Sequence, residues 1–147
     1  MISRLVIDTN VVLAALRSGN GASAALMRHV AEKRVKPLLS VALILEIESV
    51  LSRAEQLAAT GLTLELVQGF VDELCALAEP VQIHFAWRPM LHDAADEMVL
   101  EALVNGQADA LVTFNLKDFL PAATGLGLAL EVIAPITALR VFNLLDR

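Results

Sequence analysis

Arg4-Leu5-Val6-Ile7-Asp8-Thr9-Asn10 is the stretch whose reading decides the fold. A short apolar run rich in strand formers ends abruptly at an acid, a hydroxyl and an amide, so it reads as a buried first strand stopping at a polar edge. From there Val11 to Leu16 continues apolar into Arg17-Ser18-Gly19-Asn20-Gly21, a turn marked by two glycines. A helix follows from about Ala22 to Lys33, with Leu26, Met27 and Val30 on its apolar side, and Lys36-Pro37-Leu38-Leu39 reads as a second strand. Ser40 stands where it caps a helix running to about Arg53, on which Glu46 shares the polar side with Ala42, Ser49 and Arg53.

Thr63 caps another helix to about Ala78, closed by Glu79-Pro80, and residues 81–90 form a strand or extended connection. Asp93 or Ala95 opens a helix ending at Asn105-Gly106, with Val99, Leu100, Leu103 and Val104 as its buried stripe. Ala110-Leu111-Val112-Thr113 reads as the next strand, with Phe114 to Phe119 as its exit loop. Leu130 to Ile133 reads as a last strand, and Pro135 begins a terminal helix at a position that tolerates proline. Strands separated by helices predict parallel pairing with helices on both faces. The fold class is therefore α/β, a three-layer α/β/α sandwich around a mostly parallel central sheet, read as a single domain over residues 1–147.

Composition narrows the class of function. The 147 residues carry 17 Asp+Glu against 11 Lys+Arg, a formal charge of −6, with 56% hydrophobic residues and one cysteine. That excludes a disulfide framework and a disordered chain. No run approaches the ~18–20 apolar residues of a membrane span, and Asp8 stands where a signal peptide needs its apolar centre, so a cytoplasmic protein without a membrane partner is expected. The acidic balance argues at first sight against a nucleic-acid partner. However, Arg17, Arg28, Lys33, Arg34 and Lys36 face Glu32 alone between positions 17 and 36. This run is either a solvated helix face or an RNA-backbone track, for which Arg17 and Lys117 are the best candidates because both read as loop residues near the crevice.

In open parallel sheets that crevice lies beyond the carboxyl ends of the strands. Asp8 and Asp118 follow two of the strands, Asp96 falls in a first helical turn, and Glu46 lies on a polar helix side. Each has an ordinary alternative. Asp8 suits a strand-ending turn, Asp96 a helix dipole, Glu46 a pair with Arg53, and Asp118 a cap on the turn around Phe119. Together they place four carboxylates where they converge on one crevice, an oxygen-rich set suited to Mg²⁺ or Mn²⁺. Such an ion clamps a phosphodiester and activates water, which removes the need for a side-chain nucleophile. Cys75 reads as a core residue, and His29, His84 and His92 fit no zinc-ligand spacing. A phosphatase forming an aspartyl-phosphate needs a second acid two residues after the first, and that position is Asn10. A phospho-accepting receiver domain wants paired acids at its first strand, and Ser3-Arg4 lead in without them.

In this order the motifs LVIDTNVVLAAL, SVALILEIESVLSR, DAADEMVLEALVNGQADALVTFNLKDF and VIAPITAL resemble the PIN-domain family, and within it the VapC-like ribonucleases of toxin–antitoxin systems. The resemblance implies a Rossmann-like sandwich whose acidic pocket binds Mg²⁺ or Mn²⁺ and hydrolyses single-stranded RNA. It matches Asp8 to the family's first acid, Glu46 to the second and Asp96 to the third, with Thr9, Asn10 and Thr113 orienting them. At the fourth position many members carry Thr-x-Asp, where this chain has Thr113-Phe114-Asn115, so Asp118 supplies the charge or Asn115 a neutral oxygen. A homodimer and a cognate antitoxin are the implied protein partners. The same departures leave open a catalytically weak binding module acting through protein partners.

Overall fold

The computed structural model describes residues 2–84, 94–127 and 131–145. The elements, in chain order, are β1 (Ser3–Ile7), α1 (Thr9–Arg17), α2 (Ala22–Ala31), β2 (Val35–Leu39), α3 (Val41–Leu51), α4 (Ala54–Thr60), α5 (Leu64–Leu77), β3 (Glu79–Pro80), α6 (Ala94–Asn105), β4 (Ala110–Val112), α7 (Leu116–Gly125), β5 (Val132–Ile133) and α8 (Pro135–Val141). The strands form one sheet in the order β3-β2-β1-β4-β5, and every pairing is parallel. Successive strand residues point to opposite faces. Leu5 and Val6 are neighbours on the central strand and both are 0% exposed, so helices cover the sheet on both sides, as the sequence predicts.

Local chemistry sets the helix starts. The Ser40 hydroxyl accepts from Leu43 N at 3.2 Å and the Thr63 hydroxyl from Leu66 N at 3.2 Å, each occupying one of the donors left over at a helix N-terminus. The end of α6 follows a different logic from that expected of Asn105-Gly106. Its left-handed residue is Gln107 (φ 49°), while Gly106 is present for space, because a Cβ there would meet Leu38 Cδ2 at 2.7 Å, Ala102 O at 2.8 Å and Val81 Cγ2 at 3.1 Å.

Five readings of the sequence need correction. The apolar run after Asn10 is a helix starting at Thr9, directly after the strand. Leu116 to Phe119 is not a loop but the first turn of α7, which continues past Pro121. Arg17 and Lys117 are therefore helical, the last residue of α1 and the second of α7. Glu79-Pro80, read as a helix stop, pairs with Leu38-Leu39 as a short edge strand. Cys75 is exposed, one residue off the buried stripe Val67, Val71 and Leu74, and burial together with Asp72 and Glu48 raises its thiol pKa. The segment 85–90, His92, a helix start at Asp93, and Leu130 lie outside the described residues.

At the amino edge of the sheet, Arg4 acts as a cross-brace. Its guanidinium donates from Nε to Glu79 Oε1 (3.0 Å), from Nη2 to Glu79 Oε2 (2.5 Å) and Gly106 O (2.9 Å), and from Nη1 to Gln107 O (3.0 Å). Its backbone N donates to Asp109 Oδ2 at 2.8 Å. One side chain thus ties β1 to the edge strand β3 and to the turn between α6 and β4. The bond from Arg4 holds the Glu79 carboxyl below its ordinary pKa of 4.5. His29 has a similar structural use. Buried in α2, its Nε2 pairs with the carbonyl of Leu144 at 2.9 Å and ties the C-terminal segment to the domain.

Candidate functional site

The strand order reverses at β1, since the chain proceeds from β1 to β2 on one side and later returns to β4 on the other. Open α/β sheets bind ligands at the carboxyl ends of the strands flanking such a reversal. Here those ends carry Asp8 and Thr113. In the register Ile7 pairs with Val112, so the two polar residues that follow stand side by side. Asp8 N donates to Val112 O at 2.9 Å, extending the ladder by one bond. The Thr113 hydroxyl, 0% exposed, donates to Asp8 Oδ2 at 2.7 Å and accepts from Asn115 N at 2.9 Å. A hydroxyl has one proton to give, so giving it to the carboxylate fixes the orientation of both groups. Across the same mouth, Phe114 N donates to Asn10 Oδ1 in a long bond of 3.5 Å.

Asp8 is 7% exposed, with extended backbone (φ −64°, ψ 148°) at the N-terminus of α1. Burying a carboxylate is costly unless it is held by partners, and a helix N-terminus favours negative charge there. The neighbouring Thr9 hydroxyl is buried, with no hydrogen-bond partner among the described residues. Thr113 supplies one orienting bond to the Asp8 carboxylate.

The other candidates are distributed as follows. Gly106, just past the end of α6, lies beside Arg4 at the amino edge, so the first turn of α6, with Asp96 half-buried on it, lies toward the opposite end of the helix. Glu46 is half-buried midway along α3, which packs against α1 and α6, and α6 in turn packs against β1, β4 and α7. Asn115 is half-buried and one hydrogen bond from Thr113, whereas Asp118 is exposed on the first turn of α7. Among the described residues, no three His, Cys, Asp or Glu side chains are gathered closely enough to hold a metal ion. Lys117 is exposed beside the crevice. Arg17 is exposed about 12 Å further along α1, at 1.5 Å rise per residue. Three of the five clustered cations are used internally: Arg28 on Gly19 O, Arg34 on Glu32, and Lys36 on Leu77 O. Of these, only Arg34 is answered by a carboxylate among the described residues, and Arg17, Arg28 and Lys33 are exposed.

Sequence reasoning missed Glu97 and Glu101, buried acids one turn apart on α6, each engaged by a neighbouring group. Their signal was the i, i+4 spacing directly after Asp96, which was passed over in favour of the apolar stripe.

An all-parallel sheet with a hydroxyl-held carboxylate at its reversal point defines a Rossmann-like α/β domain with an acid-bearing crevice. Residues 4–117 match the family model described as PIN domain, and the chain belongs to that family. PIN domains are in general metal-dependent nucleases that act on nucleic acid. The matched span includes Asp8, Glu46, Asp96, Thr113 and Asn115 and ends one residue before Asp118. No curated protein matches the chain. Among the described residues no helix is long and apolar enough to cross a membrane.

Proposed function

We propose that the protein is a metal-dependent endoribonuclease that cleaves single-stranded RNA, and that it serves as the toxin of a type II toxin–antitoxin pair. The observation that carries this reading is the buried Asp8 carboxylate at the sheet's reversal point, oriented by Thr113 in a chain of the PIN family. The donor set suits Mg²⁺ or Mn²⁺. Its oxygens are hard, and the buried Thr9 hydroxyl beside Asp8 has hydrogen-bonding capacity to spare. Asp8, Asp96 and Asp118 are the ligands in this reading, with Asn115 adding a neutral oxygen. The bound ion supplies the Lewis-acid charge that phosphodiester hydrolysis needs. Glu46 accepts a hydrogen bond from the attacking water and orients it, while Thr113 keeps the Asp8 carboxylate from rotating. Lys117 and Arg17 hold flanking phosphates. A homodimer, a cognate antitoxin and a cytoplasmic location belong to the same proposal, as does a single domain over residues 1–147.

The test is cleavage of a single-stranded RNA by purified protein with Mg²⁺ or Mn²⁺, with excess chelator and Asp8→Asn as controls. Chelator should abolish cleavage, and the substitution should lower it by about 10²- to 10³-fold, as when a hydrolytic site loses one stabilising polar group. Equal cleavage by Asp8→Asn overturns the assignment. A second reading, a weakly catalytic module acting through protein partners, is favoured by the absence of a tight acidic cluster among the described residues. Metal binding without turnover would select it.

A further inference from the structure

The chain is poor in aromatic residues, with five Phe, one Trp and no Tyr. Phe119 lies wholly in the core, and Phe70 and Phe142 pack against it. Phe114 is 55% exposed, at the mouth of the crevice. A lone exposed apolar side chain needs no explanation in itself. This one differs in how it is supported. Its own N–H is bonded to Asn10, and the next residue's N–H is bonded to the Thr113 hydroxyl that also holds Asp8. The ring is thus carried on backbone pinned on both sides, two residues beyond the end of β4 and next to the Thr113 that holds the carboxylate. Lys117 follows three residues later, exposed and cationic. An exposed ring on pinned backbone, with an exposed cation one helical turn on in sequence, offers the combination with which proteins grip single-stranded nucleic acid, the ring under a base and the charge on the backbone.

We propose that the Phe114 ring stacks on an unpaired base of the RNA strand, one that neighbours the phosphate presented to Asp8. This rests on the ribonuclease reading above. Stacking is blind to hydrogen-bonding edges, so Phe114 contributes affinity and register to the strand rather than base identity.

The experiment uses a fluorescent single-stranded oligoribonucleotide of about ten residues, within the footprint expected of such a groove, and a series in which each base in turn is abasic. Anisotropy in Mg²⁺ gives the Kd for the wild-type chain and for Phe114→Ala, Phe114→Trp and Phe114→Leu, and a gel on the same samples reads cleavage. Phe114→Ala should weaken binding about 5- to 150-fold, and Phe114→Trp should stay within about threefold of wild type. Removing one particular base should weaken the wild type by a similar factor and leave Phe114→Ala unaffected. Unchanged binding by Phe114→Ala, full retention by Phe114→Leu, or equal sensitivity of both proteins to every abasic position overturns the proposal. Phe114→Ala that loses a protein partner while binding RNA normally does so as well. RNA held through Phe114 but never cut leaves the stacking standing and removes the nuclease reading. RNA cut equally by wild type and Phe114→Ala does the reverse.

Discussion

The two edges of one sheet use charge in opposite ways. At the amino edge, Arg4 and Glu79 neutralise each other, and two further guanidinium protons go to the carbonyls of Gly106 and Gln107. At the carboxyl edge, the Asp8 carboxylate accepts from the hydroxyl of Thr113, a donor without charge that fixes the carboxylate's direction. A charged residue answered by its opposite is a brace. A carboxylate aimed by a neutral donor is suited to receive a cation from outside. Burial alone does not separate the two cases, since Glu97 and Glu101 are buried as deeply as Asp8.

Three substitutions, smaller in effect than Asp8→Asn, test this contrast. Thr113→Val removes the bond that aims Asp8 and the acceptor for Asn115 N. It should lower RNA cleavage about 10- to 100-fold, the usual cost of losing a group that orients a metal ligand, and Thr113→Ser should restore it. If Thr113→Val lowers only the melting temperature and leaves turnover intact, the carboxyl edge is a brace like the other. Gly106→Ala should destabilise by about 1–3 kcal/mol in urea titrations, because a methyl there strikes Leu38 and Ala102 O, while cleavage per folded molecule stays the same.

The smallest effect belongs to Glu79→Gln. Both partners of the pair are more than a third exposed, so its loss should cost no more than about 1 kcal/mol at neutral pH. The folded-state pKa of Glu79 is lowered, so its contribution is fully present above the ordinary value of 4.5 and is lost as pH falls through the depressed value. The stability gap between wild type and Glu79→Gln should therefore close only below pH 4.5. A gap that has already closed by pH 4.5 would contradict the brace.

What the sequence made legible was whatever is local. β1 and its terminal Asp8, the caps at Ser40 and Thr63, and the alternation of strands and helices follow from neighbours a few residues apart. Where two rules collided, reading failed. At Thr9 a helix begins without a turn after the strand, so the polar break at Asp8-Thr9-Asn10 joins two elements directly. In α7, Pro121 argues for a loop, yet the helix runs through it. The edge strand β3 has two residues, and only its pairing with β2 defines it. Cys75 stands four residues after the buried Val71, a spacing that points inward, so its exposure comes from how α5 packs and not from periodicity. At the site, the acids and hydroxyls were visible one by one, but the bond from Thr113 to Asp8 joins residues 105 positions apart. Nothing in either segment alone announces it. The exposure of Phe114 and the internal use of Arg28, Arg34 and Lys36 are likewise properties of the packed chain.

The position of β1 in the middle of the sheet also sets a timetable for synthesis. Its first neighbour, β2, is made by residue 39, but the strand that covers its other side begins at Ala110. Domains emerge from the ribosome from the N-terminus, and contacts between distant segments form late because a long loop must close first. For most of its translation the chain therefore carries Asp8 at the end of a half-paired strand, without the hydroxyl that aims it. The crevice is completed only once β4 and Thr113 have been made. Until then β1 exposes an open, apolar edge that another strand can pair with, so truncated chains ending before β4 are the forms most exposed to aggregation.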